Sequence, residues 1–223
     1  KENDNLLQKQ TNMSSHLNIG YSLGSKEVSS NFNKKYKILG QYLDTYILVE
    51  SSTGSLLLVD QHQAEERYNY EKLTYQYNNK KIIEKQSLLV PIAVELNPAE
   101  LLLFKEKGIF ETIGLDVESF VNNTLIIRIL PLLLNKIPSK TDLISLIQDI
   151  INDTSNLNQK VDHAIATMSC KAAVKAGQLL TRIQMEQIIE KLFQTQNPYT
   201  CPHGRPIIIE LTKKDIEKRI GRA

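Results

Sequence analysis

The sequence predicts an α+β fold in which a sheet-and-helix subdomain is interrupted by a smaller helix-hairpin-helix one. Three observations lead to this. Aliphatic and aromatic runs flank Ser51-Ser52-Thr53-Gly54, the signature of a hairpin. From Asp60 a stretch without Gly or Pro follows, long enough for a helix. A second hairpin pattern at Asn122-Asn123 lies between two helical patterns, before the chain returns to helices and a last strand.

Residues 1–35 are rich in Asn, Ser, Lys and Gln and have too few apolar side chains to offset the entropy of ordering, so they are read as a flexible linker. Tyr36–Glu50 and Ser55–Val59 then read as two antiparallel strands. The helix from Asp60 to about Tyr77 has Asp60 as its N-cap and Gln63 as capping-box partner. Gln86–Leu96 is a further strand, and Asn97-Pro98 opens a helix to about Phe110. Leu115–Phe120 and Thr124–Leu130 form the second hairpin, and Lys140–Asn152 has helical spacing. Asp153–Lys160 is polar and reads as a connection; Val161–Gly177 and Thr181–Gln194 read as a buried and an amphipathic helix. Strand Pro206–Leu211 and a charged helix, Lys213–Ile220, end the chain. The expected partition is a linker at 1–35, one subdomain at 36–96 and 161–223, and an insert at 97–160.

The 223 residues are 41% apolar, enough for a buried core. No apolar run reaches the roughly 18 residues needed to span a bilayer, so no membrane partner is expected. A first residue other than Met suggests part of a longer chain. A net charge of +2, from 27 basic and 25 acidic residues, gives little overall attraction for polyanions and argues against a stand-alone sequence-specific DNA binder. Two cysteines are too few for a disulfide framework and fit a reducing compartment.

Potential metal ligands gather at two places. Asp60 and His62 are two apart at a strand end, where extended backbone points them to one side, and His62 and Glu66 are four apart on one helix face. The trio can converge on one point. Far along the chain, Cys201 and His203 are again two apart in a loop stiffened by prolines, and thiolate with imidazole suits zinc. Each pair alone is weak: Asp-x-His at a strand–helix junction is more often a cap and a surface histidine. His16 and His163 lack neighbouring ligands.

Read together, these residues carry a family resemblance. Asp60-Gln61-His62-Gln63-Ala64-Glu65-Glu66, continuing to Glu71, resembles the endonuclease motif of the MutL family of DNA mismatch-repair proteins, D-Q-H-A-x-x-E-x-x-x-x-E. Ser169-Cys170-Lys171 and Cys201-Pro202-His203-Gly204-Arg205-Pro206 resemble its second and third motifs, in the family's order. The resemblance runs from about Tyr36 to the C-terminus. Gln63 departs from it, placing a long amide where the family has a small Ala.

The resemblance implies a dimerisation and endonuclease subdomain at 36–96 and 161–223 and a regulatory insert at 97–160. It implies metal-dependent nicking of double-stranded DNA, with Asp60, His62 and Glu66 catalytic. Zinc would be held by Glu66, Cys201 and His203, and manganese or magnesium near Asp60 and His62. Cys170 either completes a site or packs as a small hydrophobe. Lys171 and Arg205 are candidates for phosphate oxygens, and Gln61 and Glu71 for supporting the ligands; Glu71 is about 140° around the helix from Glu66. Gln86-Ser87-Leu88-Leu89-Val90-Pro91 fits Q-x-x-L-x-P, resembling the peptide with which the family docks on the replication sliding clamp, through Gln86, Leu89 and Pro91. The other reading of those six residues is a plain strand with Leu88, Leu89 and Val90 in the core.

Further expected partners are a second copy of the chain, forming a homodimer, and the mismatch-recognition protein. ATP would be bound by an upstream region. The expected location is the bacterial cytoplasm in association with the nucleoid, or the nucleus if the chain is eukaryotic, where the dimer partner would differ. The rival expectation is a catalytically inactive dimerisation and clamp-interaction module with a structural zinc site.

Overall fold

The computed structural model describes residues 35–79, 83–105, 109–132 and 138–222. The linker expected at 1–35 lies, but for its last residue, outside them. The fold is α+β, as its sequence pattern predicts. Strands β1 (Tyr36–Tyr42), β2 (Tyr46–Ser51) and β3 (Leu56–Asp60) form an antiparallel meander, extended by β7 (Ile208–Leu211) into the order β1-β2-β3-β7. A second antiparallel sheet has the order β4-β6-β5, from β4 (Lys85–Glu95), β5 (Asp116–Ser119) and β6 (Thr124–Pro131). The strand just ahead of residue 97 thus shares a sheet with strands of the 97–160 stretch.

The expected single strand Tyr36–Glu50 is two strands. Leu43 and Asp44 both take left-handed backbone, φ 52° and 47°, and the Thr45 N–H closes the turn on the Tyr42 carbonyl at 3.2 Å. Two central residues with positive φ mark the hairpin turn whose twist matches its strands, usually built from Asn and Gly. Leu-Asp carries no such signal. Asn122-Asn123 does, and there the expected hairpin is present, with φ 55° and 58°.

Helix α1 (Gln61–Asn78) starts where expected, with Asp60 Oδ1 accepting from the Gln63 N–H at 3.0 Å. The capping box is not reciprocal: the Asp60 N–H is spent on the Ile207 carbonyl, and the Gln63 amide turns to the Asp60 carboxylate. Asn97 and Glu100 instead form such a reciprocal pair ahead of α2 (Pro98–Lys105), which is followed by α3 (Ile109–Thr112) rather than one helix to Phe110. Helix α4 (Lys140–Asn152) matches its expected range.

The expected connection Asp153–Lys160 shrinks to four residues, because Asn156 caps a helix, α5 (Leu157–Ala172), by accepting from the Gln159 N–H. Helix α5 also stops five residues before Gly177. At Val174 the backbone N–H goes to the Glu65 carboxylate at 2.7 Å and the carbonyl to His62 Nδ1 at 2.8 Å, so side chains of α1 take the groups a longer helix would have used. Helix α6 (Arg182–Leu192) carries a full capping box at Thr181 and Gln184, and α7 (Lys213–Arg219) follows β7.

A core lies on the second sheet, where Val94, Leu125, Ile127 and Leu130 pack with Leu143, Leu146, Ile147 and Ile151 of α4. The same core takes in Leu73 of α1 and Val161, Ala164, Ile165 and Met168 of α5. Helix α1 therefore spans from this core to the end of β3, which fixes where its first turn presents side chains. On the first sheet, Ile47, Val49, Leu57 and Val59 are buried on one face. The other face carries Leu48, Leu58 and Ile209 in one paired row, with Leu56 and Leu211 in the next. Among the described residues no helix is long and apolar enough to cross a membrane.

Candidate metal centre

Glu66, Cys201 and His203 come together: one ligand atom from each lies within 4.8 Å of the others. Glu66 projects from the second turn of α1, and the other two come from the loop ahead of β7. That loop is a tight turn. The Cys201 N–H donates to the Arg205 carbonyl at 2.8 Å, the Gly204 N–H to the Cys201 carbonyl at 2.9 Å, and Gly204 takes φ +80°, which only glycine adopts without cost. The turn aims the Arg205 N–H at Cys201 Sγ, 3.4 Å away.

Two side chains of α1 hold this loop. Arg67 Nε donates to the Thr200 carbonyl at 2.6 Å, and the Glu71 carboxylate accepts from the N–H groups of Gln196 at 2.6 Å and Asn197 at 3.1 Å. Arg67 and Glu71 also pair at 3.6 Å, with little exposure on either side. Glu71 thus holds this loop through the backbone of Gln196 and Asn197. Arg67 is the residue that sequence reasoning missed; its only signal was a cation inside the first motif.

Glu66 and Cys201 are each 2% exposed, whereas His203 faces solvent. Glu66 Oε1 lies 3.0 Å from His203 Nδ1 but without hydrogen-bond alignment, so this buried oxygen lacks a donor. A buried carboxylate oxygen left so is costly. A thiol sulfur, an imidazole nitrogen and an orphaned carboxylate oxygen at this separation fit zinc, the ion whose tetrahedral sites such donors build.

The other sequence candidates lie differently. Asp60 is committed to capping α1. His62 donates from Nδ1 to the Val174 carbonyl, leaving Nε2 3.5 Å from Cys170 Sγ. The contact with Cys170 raises the His62 pKa above its ordinary value, burial opposes this, and the Val174 carbonyl adds to it. Among the described residues neither Asp60, His62 nor Cys170 joins a group of three ligands that close together, so the expected convergence of Asp60, His62 and Glu66 on one point is not preassembled. Lys171 Nζ donates to Ser145 Oγ at 3.0 Å, while Arg205 is exposed. Gln61 is fully buried away from the ligands: its amide donates to the carbonyls of Asp44, Lys175 and Gln178 and accepts from Gln41, tying the first hairpin to the segment after α5. Beside His203 a groove of about 540 Å³ is lined by Tyr70, Asp149, Asp153, Asp162 and His163.

Gln86, Leu89 and Pro91 lie on β4; Gln86 is in the ladder, paired with Leu130, while Leu89 and Pro91 fall in a stretch that leaves it. Ser87 pairs with Ile129 and Ile92 with Ile127, so the residues between bulge outward. Leu89 is 103% exposed and Val90 76%, while Leu88 packs on the core. The plain-strand reading, with all three in the core, fails for Leu89 and Val90.

Comparison with known proteins agrees with the motifs. A family model described as the MutL C terminal dimerisation domain matches residues 39–180. A DNA mismatch repair protein MutL of Halothermothrix orenii is 39% identical over 189 residues, covering 83% of this chain and 29% of that protein. One from Clostridium botulinum (strain Kyoto / Type A2) is 38% identical over 232 aligned residues, 100% of this chain and 33% of that protein. One from Thermoanaerobacter pseudethanolicus is 36% identical over 231, covering 98% and 37%. The chain spans about a third of the length of these relatives. The Cys201–Pro206 loop lies beyond the family-model match but within the stretch that the second relative covers. On the family match and these likenesses, the chain belongs to the family of the MutL C-terminal dimerisation domain.

Proposed function

We propose that this chain is the metal-dependent nicking endonuclease and dimerisation region of a DNA mismatch-repair protein, stimulated by the replication sliding clamp. The observation that carries the reading is the group of buried Glu66 and Cys201 with exposed His203, its carboxylate on the helix that Asp60 caps and that bears His62. Glu66, Cys201 and His203 would hold zinc; Asp60 and His62 would receive manganese or magnesium. Held there, a divalent ion would supply water activation and charge relief on the phosphate. The His62 ring, held through Nδ1 by the Val174 carbonyl, has Nε2 beside Cys170 Sγ as the nitrogen that would be left for an ion. Arg205, exposed on that loop, would meet a phosphate oxygen of double-stranded DNA, whereas Lys171 would first have to leave Ser145.

The outward bulge at Leu89-Val90-Pro91 supports clamp docking, because the motif's aliphatic residue is free to enter a partner's pocket. The open apolar face around Leu48, Leu58 and Ile209 supports homodimerisation, a second copy covering what this chain leaves uncovered. The 97–160 stretch would act as the regulatory insert. ATP binding upstream, the mismatch-recognition partner and residence with the bacterial nucleoid belong to the same reading.

The test is nicking of supercoiled plasmid with manganese. The parent chain nicks one strand, and Asp60→Asn abolishes this without unfolding the protein. Unchanged nicking by purified Asp60→Asn protein refutes the assignment. One observation favours a second reading, an inactive dimerisation and clamp module with structural zinc: only the zinc group is preassembled among the described residues, while Asp60 is held as a helix cap. Zinc retention without nicking under any divalent ion decides for it.

A further inference from the structure

Between Lys213, which opens α7, and Arg222, just past its end, stand five basic and two acidic side chains. That excess of three is larger than the net +2 of the whole chain, so the near balance of charge hides a concentration in one place. Both acids are already engaged: Asp215 closes a capping box with Thr212, and Glu217 pairs with Lys213 at 3.5 Å. Lys214, Lys218, Arg219 and Arg222 are exposed and lie in no ion pair among the described residues.

Ile216 and Glu217 form the half-buried side of α7, and Lys214 and Lys218 each stand about 160° around the axis from Ile216. Being four apart, the two lysines sit one above the other on the outward face. Past the helix end the Arg222 N–H returns to the Glu217 carbonyl at 2.9 Å and Gly221 takes φ +75°, so the backbone of Arg222 is fixed as well. Helix stability does not account for this set. Cations in the last turn suit the helix dipole, which explains Lys218 and Arg219, but in the first turn they oppose it. Lys213 has Glu217 to offset that cost, and Lys214 has no such partner among the described residues.

An outward stripe of cations fits a polyanion. Unpaired nucleic acid is the poorer match, because α7 has no aromatic ring on which bases could stack. A lipid surface is poorer still, since the one exposed aliphatic residue of this stretch, Ile220, is far less than the apolar face such a helix needs. Duplex DNA asks only for spaced cations on its phosphates. Strand β7 joins the Cys201–Arg205 loop to α7, and from Arg205 to Thr212 the chain spans at most about 25 Å. That is roughly seven base pairs at 3.4 Å each, so one duplex lying over the loop can also reach α7.

We propose that α7 is a sequence-independent contact for the DNA backbone, with Lys214, Lys218 and Arg222 each meeting a phosphate of the duplex that also passes the Glu66–Cys201–His203 group. This rests on the reading of double-stranded DNA as the substrate given above. It also answers the weak overall charge, because attraction for the polyanion is gathered beside one strand instead of being spread over the surface.

The experiment measures binding of a short fluorescent duplex to the zinc-loaded chain by anisotropy, without manganese, between about 50 and 200 mM salt. The triple variant Lys214→Gln/Lys218→Gln/Arg222→Gln is compared with a charge-matched one, Lys37→Gln/Lys140→Gln/Arg182→Gln, whose residues are exposed elsewhere. The α7 variant is expected to bind at least about tenfold more weakly than the matched one, and its plot of log affinity against log salt to be shallower by about three. Bound zinc and an unchanged melting temperature report that each variant is folded. Equal affinity and slope in the two variants overturn the role of α7. So does a parent chain that fails to bind the duplex at low salt. Loss of polyglutamate binding with duplex affinity intact assigns the stripe to an acidic protein and likewise overturns it. Nicking of plasmid by the parent chain, read separately, shows whether the DNA reading stands when the α7 contact does not.

Discussion

Arg67 on α1 and Thr200, the residue before Cys201, are joined by a 2.6 Å hydrogen bond from guanidinium to carbonyl. Arg67 is the residue next to Glu66, about 100° around the helix, so one helix presents a candidate ligand and also holds the loop that brings the other two. The arrangement predicts that zinc retention depends on a residue that touches no ligand. Arg67→Ala would lose the bond to Thr200 and leave the Glu71 carboxylate without its cation, at a cost of about 3 kcal/mol for breaking such a nearly buried pair. Urea unfolding with metal analysis checks it: stability should fall and bound zinc with it. Normal zinc in a destabilised variant would show that the loop keeps its shape without Arg67.

Cys201→Ser and His203→Ala should each lower bound zinc, Cys201→Ser more, because Cys201 is the buried sulfur and His203 faces solvent. Stoichiometric zinc in the double variant would place the metal elsewhere.

Leu89 contributes no packing, being fully exposed on the β4 bulge. Leu89→Ala should leave the unfolding midpoint within the small range of surface substitutions, about 0.5 kcal/mol. If the Q-x-x-L-x-P stretch docks on the clamp, the same change removes clamp stimulation of nicking. Full stimulation of the Leu89→Ala protein would assign the bulge another role.

Ile209 is 55% exposed on the open face of the first sheet, paired with Leu58. Ile209→Asp puts a charge where a second copy would bury an aliphatic side chain. Sedimentation equilibrium should show dimer dissociation strengthened by at least about tenfold, or 1.4 kcal/mol. An unaltered dimer would move the interface off this face.

Asp153, in the groove beside His203, titrates low. Burial pushes its pKa up, but hydrogen bonds from Ser155 and the His163 ring outweigh this and bring it down to about 2. A carboxyl whose pKa is lowered on folding adds stability that is present above its unfolded value, near 3.8, and is lost as pH falls through about 2. Asp153→Asn should therefore lower the melting temperature at pH 7 by a few degrees and by less at pH 2. The effect is small because His163 is mostly exposed, where solvent screens the pair.

By itself the sequence determined the fold class, the second hairpin, helices α1, α4 and α6, the start of α2, and the residue types able to hold a metal. These are local matters: Asp60 caps α1 and Asn122-Asn123 turns a hairpin because each residue's own chemistry favours that backbone. Tertiary structure decided what is joined across distance. It split the first strand at Leu43-Asp44, stopped α5 where His62 and Glu65 take the backbone of Val174, and pushed Leu89 out of its sheet. It also sorted the ligand candidates. Spacing put Asp60, His62 and Glu66 in one set; packing instead closed Glu66 with Cys201 and His203 and left Asp60 bound to its own helix. Residues two or four apart share a direction, but which atoms meet depends on how α1 and the loop ahead of β7 are held together. That is the work of Arg67 and Glu71, whose partners lie more than a hundred residues away and so leave no trace in local pattern.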